Sequence, residues 1–201
     1  YHRVAVYQEA SAQPLWETGL VSAARVSASS VWSALDDCEG SDGQLCRTCV
    51  EDQVNYVDGT WPGSWCAAAN RAQAGEWLQV SFDEPMRVAE VETQGRYHGA
   101  ARGHVSSFVF EYSTTANGDG DFLNAIVAGS TTLSGPDTAS SLMSSRLVLD
   151  APVVGLRFRF RVVSWQNHPS MRVELWGSPT GFSSTGPCEV GTCVSSTGPC
   201  K

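Results

Sequence analysis

Apolar and polar residues alternate with a period of two along several stretches of this chain. In Trp77-Leu78-Gln79-Val80-Ser81-Phe82, the residues Leu78, Val80 and Phe82 fall on one face. Phe108, Phe110 and Tyr112 alternate with Val109, Glu111 and Ser113, and Leu156, Phe158, Phe160 and Val162 alternate with Arg157, Arg159 and Arg161. Met171, Val173 and Leu175 alternate with Arg172, Glu174 and Trp176. Period two is the signature of strands that bury one face and wet the other. Helical periodicity is nearly absent. Turn chemistry separates the runs at Asp83-Glu84-Pro85, Asn117-Gly118-Asp119-Gly120, Ser134-Gly135-Pro136-Asp137 and Ala151-Pro152. The pattern predicts an all-β antiparallel sandwich.

Two regions break the rhythm. Residues 33–66 form a long acidic insertion holding Cys38, Cys46, Cys49 and Cys66. Residues 178–201 form a low-complexity tail in which Ser183-Ser184-Thr185-Gly186-Pro187-Cys188 returns as Ser195-Ser196-Thr197-Gly198-Pro199-Cys200, with Cys193 between. Such a repeat has no apolar face with which to build a core. Residues 1–13 read as an N-terminal extension, 14–177 as the domain and 178–201 as the Cys-containing tail.

Composition fits a folded chain: 201 residues, 42% hydrophobic and 17% charged, with 19 Gly and 9 Pro. Seven cysteines in this length point to an oxidising compartment and to disulfides that pin long loops, with pairing left open. Cys46-Arg47-Thr48-Cys49 is also a CxxC pair, so redox or zinc chemistry has to be weighed. It lacks a βαβ context and a second CxxC at zinc-site spacing. Tyr1 stands where Met would open a nascent chain, which a removed signal peptide would explain, so a secreted protein is expected. The net charge of −8 argues against a nucleic-acid partner, and the single lysine, Lys201, argues against an anionic membrane. No apolar run approaches the roughly 20 residues of a transmembrane helix.

Several segments, in order, resemble the discoidin family, also called coagulation factor 5/8 type C domains. They are Pro14–Leu20, Ala24–Ser33, Gly63–Ala68 with Glu76–Val80, Val88–Arg96 ending in Thr93-Gln94-Gly95-Arg96, Val105–Ser113, and Leu156–Val162 with Met171–Gly177. The resemblance implies a jelly-roll β-sandwich whose loops at one end bind a ligand: a galactose- or fucose-type sugar, an anionic lipid or a matrix protein. It implies adhesion and targeting, not catalysis. The long Cys-rich loop departs from the family pattern, and no cysteine precedes Cys38 to form the family's end-to-end disulfide.

Sugars offer an apolar face to an aromatic ring and hydroxyls to polar groups. Arg96, Tyr97 and His98 on a Gly-flanked loop, Trp61 beside Pro62-Gly63, and Asn167 with His168 are the candidate ligand contacts. Trp65 and Trp165 read as packed. Sugar-binding relatives often hold a structural calcium ion; here Asp36, Asp37 and Asp42 in a Gly-containing loop, with Glu174, offer hard oxygen ligands. The alternative for Glu174 is a partnership with an arginine. Arg157, Arg159 and Arg161 form either an anion-binding stripe or a solvated strand face paired with acids such as Glu111 or Glu174, and the second is the expectation. No zinc-protease, nucleophile-elbow or phosphate-loop motif occurs, so no enzyme is expected. The expected partner is a glycan or an extracellular matrix or surface protein. The alternative is a structural subunit of an extracellular fibre, sheath or surface assembly, self-assembled through the tail and cysteines.

Overall fold

The computed structural model describes residues 12–15, 26–31, 64–68, 72–96, 103–117, 121–137 and 144–180. Among these the chain is all-β, an antiparallel jelly-roll sandwich, with nine strands and no helix. They are β1 (Gln13–Pro14), β2 (Val26–Ala28), β3 (Trp65–Cys66), β4 (Trp77–Gln94), β5 (His104–Ser113), β6 (Leu123–Asn124), β7 (Thr132–Ser134), β8 (Ser144–Gln166) and β9 (Ser170–Pro179). The main path runs β1-β9-β4-β8-β5-β6, with β2 on β4, β3 on β9 and β7 on β5.

Two long strands, β4 and β8, make the frame. Residues 77–81 of β4 pair with 157–161 of β8, and 86–94 pair with 144–155. The register slips between Ser81 and Met86 and again between Val88 and Glu90. Irregularities of this kind bend a strand pair and raise its twist. The first half of β4 thus shares a layer with β5, which pairs along 157–166 of β8, and the second half shares a layer with β9. Asp83-Glu84-Pro85 and Ala151-Pro152, which read as turns between strands, are instead exposed bends inside β4 and β8. Pro is tolerated there because a bulge frees the backbone N–H from the ladder.

The core lies between the layers. Leu78, Val80, Phe108, Phe110, Phe158, Phe160, Val173 and Leu175 have no exposed surface. Phe110 contacts both Phe158 and Phe160, with ring centroids 6.0 and 5.0 Å apart. Trp65 is also buried, and its indole N–H donates to the Ser30 carbonyl at 2.9 Å.

Two strand faces expected to be wet are dry. Arg157 and Arg159 are buried beneath aromatic rings: the Arg159 guanidinium lies 4.2 Å from the Trp77 centroid and 4.0 Å from that of Phe122. It donates to Gln79 Oε1, while Arg157 donates to the Thr115 carbonyl at 2.7 Å. Arg161 follows the cross-strand expectation, donating to Glu111 Oε1 at 2.8 Å. Glu174 is not in register with this stripe; β9 lies beside β4, where Glu174 faces Glu92. On β9 itself, Arg172 and Glu174 are as buried as Met171, Val173 and Leu175, so that strand is covered on both faces.

Candidate functional site

The bend in the β4–β8 pair brings both ends of β4 to one end of the sandwich. That end gathers the segment after Gln94, the start of β5, the segment after β7, the β8–β9 turn and the segments flanking β3.

The chain leaves β4 from a fixed base. Arg96 N–H donates to the Gly103 carbonyl at 2.9 Å, closing an isolated antiparallel bridge. Buried Arg172 donates through Nη2 to the Gly95 carbonyl at 3.0 Å, so β9 holds the turn from below. Arg96 is mostly buried, at 6% exposure.

The β8–β9 turn is the second wall. His168 N–H donates back to the Gln166 carbonyl at 2.7 Å around Asn167, whose φ is +59°. Asn is one of the few L-residues that adopts this left-handed conformation at low cost. The turn presses against the base of the first loop: a Cβ on Gly103 would sit 2.7 Å from the His168 carbonyl oxygen. Glycine is therefore required there by close approach. The His168 Nδ1 lies 3.4 Å from Ser170 Oγ, whose hydroxyl donates to Cys66 Sγ at 3.3 Å. The Pro169 carbonyl accepts from Ala67 N–H at 3.1 Å, which ties the turn to β3.

A third wall is pinned by one buried carboxylate. Glu76 Oε2 accepts from the hydroxyls of Ser29 and Ser30. Ser29 Oγ in turn accepts from Trp77 N–H at 2.8 Å and Ser30 Oγ from Ala68 N–H at 3.1 Å. Four short polar contacts thus set the height of the segments beside β2 and β3.

Burial pushes His168 below its ordinary value near 6.5; the Pro169 backbone opposes this and the Arg96 charge adds to it. Burial also lowers His104, opposed by Asp137. Both imidazoles are consequently neutral near pH 7, each able to donate and to accept a hydrogen bond.

Of the six residues singled out for ligand contact, Arg96, Asn167 and His168 meet at this end, Asn167 exposed and His168 half-buried. Tyr97, His98 and Trp61 lie outside the described residues, as do Asp36, Asp37 and Asp42. The fourth candidate calcium ligand, Glu174, has no exposed surface, and its Oε1 accepts from Leu175 N–H at 2.8 Å. Among the described residues no group of three or more His, Cys, Asp or Glu is placed to hold a metal ion. Of the cysteines, Cys66 is described and buried; Cys38, Cys46, Cys49, Cys188, Cys193 and Cys200 lie outside the described residues.

Sequence reasoning missed His104, Gly103, Ser170 and Arg172. The alternation of β5 could have flagged His104 as a strand-end histidine, but nothing local reveals that Gly103 abuts a turn more than sixty residues later.

No match was found among curated protein sequences. Among solved structures, wild-type discoidin II from Dictyostelium discoideum superposes with a TM-score of 0.63 at 16% identity, over 85% of this chain and 60% of that chain. The chain thus spans about three-fifths of the length of discoidin II. The family 32 carbohydrate-binding module of Clostridium perfringens NanJ, in complex with galactose, gives 0.51 at 13% identity over 83% and 98%. A second Clostridium perfringens module, CpGH89CBM32-5 in complex with GalNAc-β-1,3-galactose, gives 0.56 at 12% identity over 81% and 99%. These likenesses establish the fold. The F5/8 type C domain profile matches residues 48–175, most of the sandwich, and this chain belongs to the F5/8 type C domain family.

Proposed function

We propose that this domain is an extracellular binding module, not an enzyme, and that the loop end of its sandwich takes up a carbohydrate. The observation that carries the reading is the meeting of Arg96, Asn167 and His168 on rigidly tethered loops at one end. A guanidinium, an amide and a neutral imidazole supply the fixed donors and acceptors that sugar hydroxyls need. The galactose and GalNAc-β-1,3-galactose complexes of similar folds support galactose-type sugars as the ligand class. Tyr97, His98 and Trp61 supply the ring on which a sugar face stacks, since Tyr97 and His98 follow Arg96 directly and Trp61 precedes Ser64 by three residues. A glycan displayed on an extracellular matrix or surface protein is the corresponding partner.

Calcium belongs to the same proposal. A fully buried carboxylate such as Glu174 needs cations or hydrogen bonds around it, and Asp36, Asp37 and Asp42 would add oxygen ligands to it. The test is a glycan array probed with and without EDTA. Binding to galactose- or GalNAc-terminated glycans, reduced by EDTA and restored by calcium, is the expected result. Silence on every glycan in calcium-containing buffer would sink the reading.

A further inference from the structure

The proposed sugar site is built on Arg96, Asn167 and His168, and a second group of polar side chains beside it has no part in that reading. His104 opens β5 directly after Gly103, the residue against which the His168 turn packs. Its registered partner on β8 is Gln166, the residue before Asn167. Registered partners share one face of a sheet about one strand spacing, ~4.8 Å, apart. Gln166 is exposed, whereas His104 is buried, at 6% exposure. Among the described residues no hydrogen-bond partner meets the His104 Nδ1.

The third member comes from the segment after β7. Gly135 N–H donates to the Ser106 carbonyl at 2.9 Å, and a Cβ on Gly135 would lie 2.1 Å from the Val105 carbonyl oxygen. The segment therefore lies hard against the start of β5. Pro136 is buried there too, and the chain then exposes Asp137, near enough to His104 for its charge to act on the imidazole. A carboxylate, a primary amide and an imidazole thus come together from three elements, next to Asn167 on one strand and to Gly103 on another.

We propose that Asp137, Gln166 and His104 form a second subsite, which takes the neighbouring sugar residue of an oligosaccharide whose terminal residue occupies the first. This rests on the loop end being the sugar site, and it adds how much of the glycan that site reads.

The chemistry of the three groups suits a neutral sugar. A buried ring nitrogen without a partner costs free energy that a ligand hydroxyl recovers. A neutral imidazole can donate to that hydroxyl or accept from it. The Asp137 carboxylate accepts from hydroxyls through charge-assisted bonds, which are the stronger kind. The same charge repels a carboxylate or sulfate group, so an acidic sugar is disfavoured. The Gln166 amide both donates and accepts, as a ring hydroxyl or an N-acetyl group requires.

The experiment compares GalNAc-β-1,3-galactose with galactose and with GalNAc by calorimetry on the whole chain, in calcium-containing buffer. The disaccharide should bind about tenfold more tightly than the better of the two single sugars. Asp137→Asn, a change on an exposed side chain, should bring the disaccharide to within about twofold of that single sugar and leave the single sugar's affinity unaltered. The His104 ring nitrogens, followed by NMR, should shift further with the disaccharide than with either sugar alone. His104→Ala should lose the same gain, and the Asp137 variant keeps the test open if that protein does not fold. Equal affinity for the disaccharide and the better single sugar, or a gain that survives D137N, would overturn the subsite and leave the first site standing. Binding of none of the three sugars would remove the sugar reading and the subsite with it.

Discussion

At the scale of single residues, three positions show how backbone and side-chain chemistry are matched. Ala128 has a φ of +49° beside Gly129 at +76°, in the two-residue turn that joins Val127 to Ser130. Turns of this kind require both central residues in the left-handed region, where a Cβ is unfavourable. The Asp150 carboxylate offsets part of that strain by accepting both N–H groups, at 2.6 and 2.8 Å. Ala128→Gly should therefore stabilise the domain by about 1 kcal/mol, read as a higher urea midpoint at unchanged slope. Asn167, at a φ of +59°, occupies the same region at lower cost, because Asn is among the few L-residues that tolerate it.

His104 and His168 bring the residue scale into contact with pH. Both have their folded values lowered, with burial the leading cause in each. The unfolded chain thus binds more protons than the native one between the ordinary value near 6.5 and the lowered native values. Stability is then complete above that ordinary value and is lost as the pH falls through the window below it. Urea midpoints should drop from pH 7.5 towards pH 5.5, and a doubly substituted His104→Asn, His168→Asn protein should show a flatter profile.

At the scale of elements, close approach of strands dominates. A Cβ on Gly177 would lie 2.1 Å from the Arg87 carbonyl oxygen, where β9 meets β4. Gly177→Ala must push those strands apart and should cost about 3 kcal/mol by chemical denaturation. Arg172 acts in the other direction, joining β9 to the turn after β4 through the Gly95 carbonyl. Arg172→Ala should destabilise by about 3 kcal/mol, as expected when a buried, hydrogen-bonded guanidinium is removed, and the Arg96 amide resonance should shift with it.

The same elements show what was legible in the sequence. The apolar alternation of 78–82, 108–112 and 171–175 identifies core faces because burial on one face of a strand is a local, period-two property. The bends at 83–85 and 151–152 read as turns because Pro and acidic residues mark both; only the paired register of β4 and β8 distinguishes a bulge from a break. The dryness of Arg157, Arg159, Arg172 and Glu174 was not legible. It depends on Phe122, Trp77 and the cover over β9, which are tertiary and leave no periodic trace. At the ligand end, Arg96, Asn167 and His168 carried turn-like signals of their own, whereas Gly103, His104 and Ser170 gain their roles only from loops that meet in space.

For the whole molecule, the bent β4–β8 frame separates two ends with different chemistry. The far end carries the saturated contacts of Arg157, Phe122 and Thr115 and the Asp150-braced turn. The loop end carries half-buried groups able to meet a ligand. The account's central claim is that sugar binds at the loop end, and the most direct measurement is a galactose titration followed residue by residue by amide NMR at neutral pH. Perturbations should concentrate on residues 94–96, 103–104 and 166–170 and leave 122–130 and 150 unmoved. Perturbations centred on that far end, or none at millimolar galactose and GalNAc with calcium present, would contradict it.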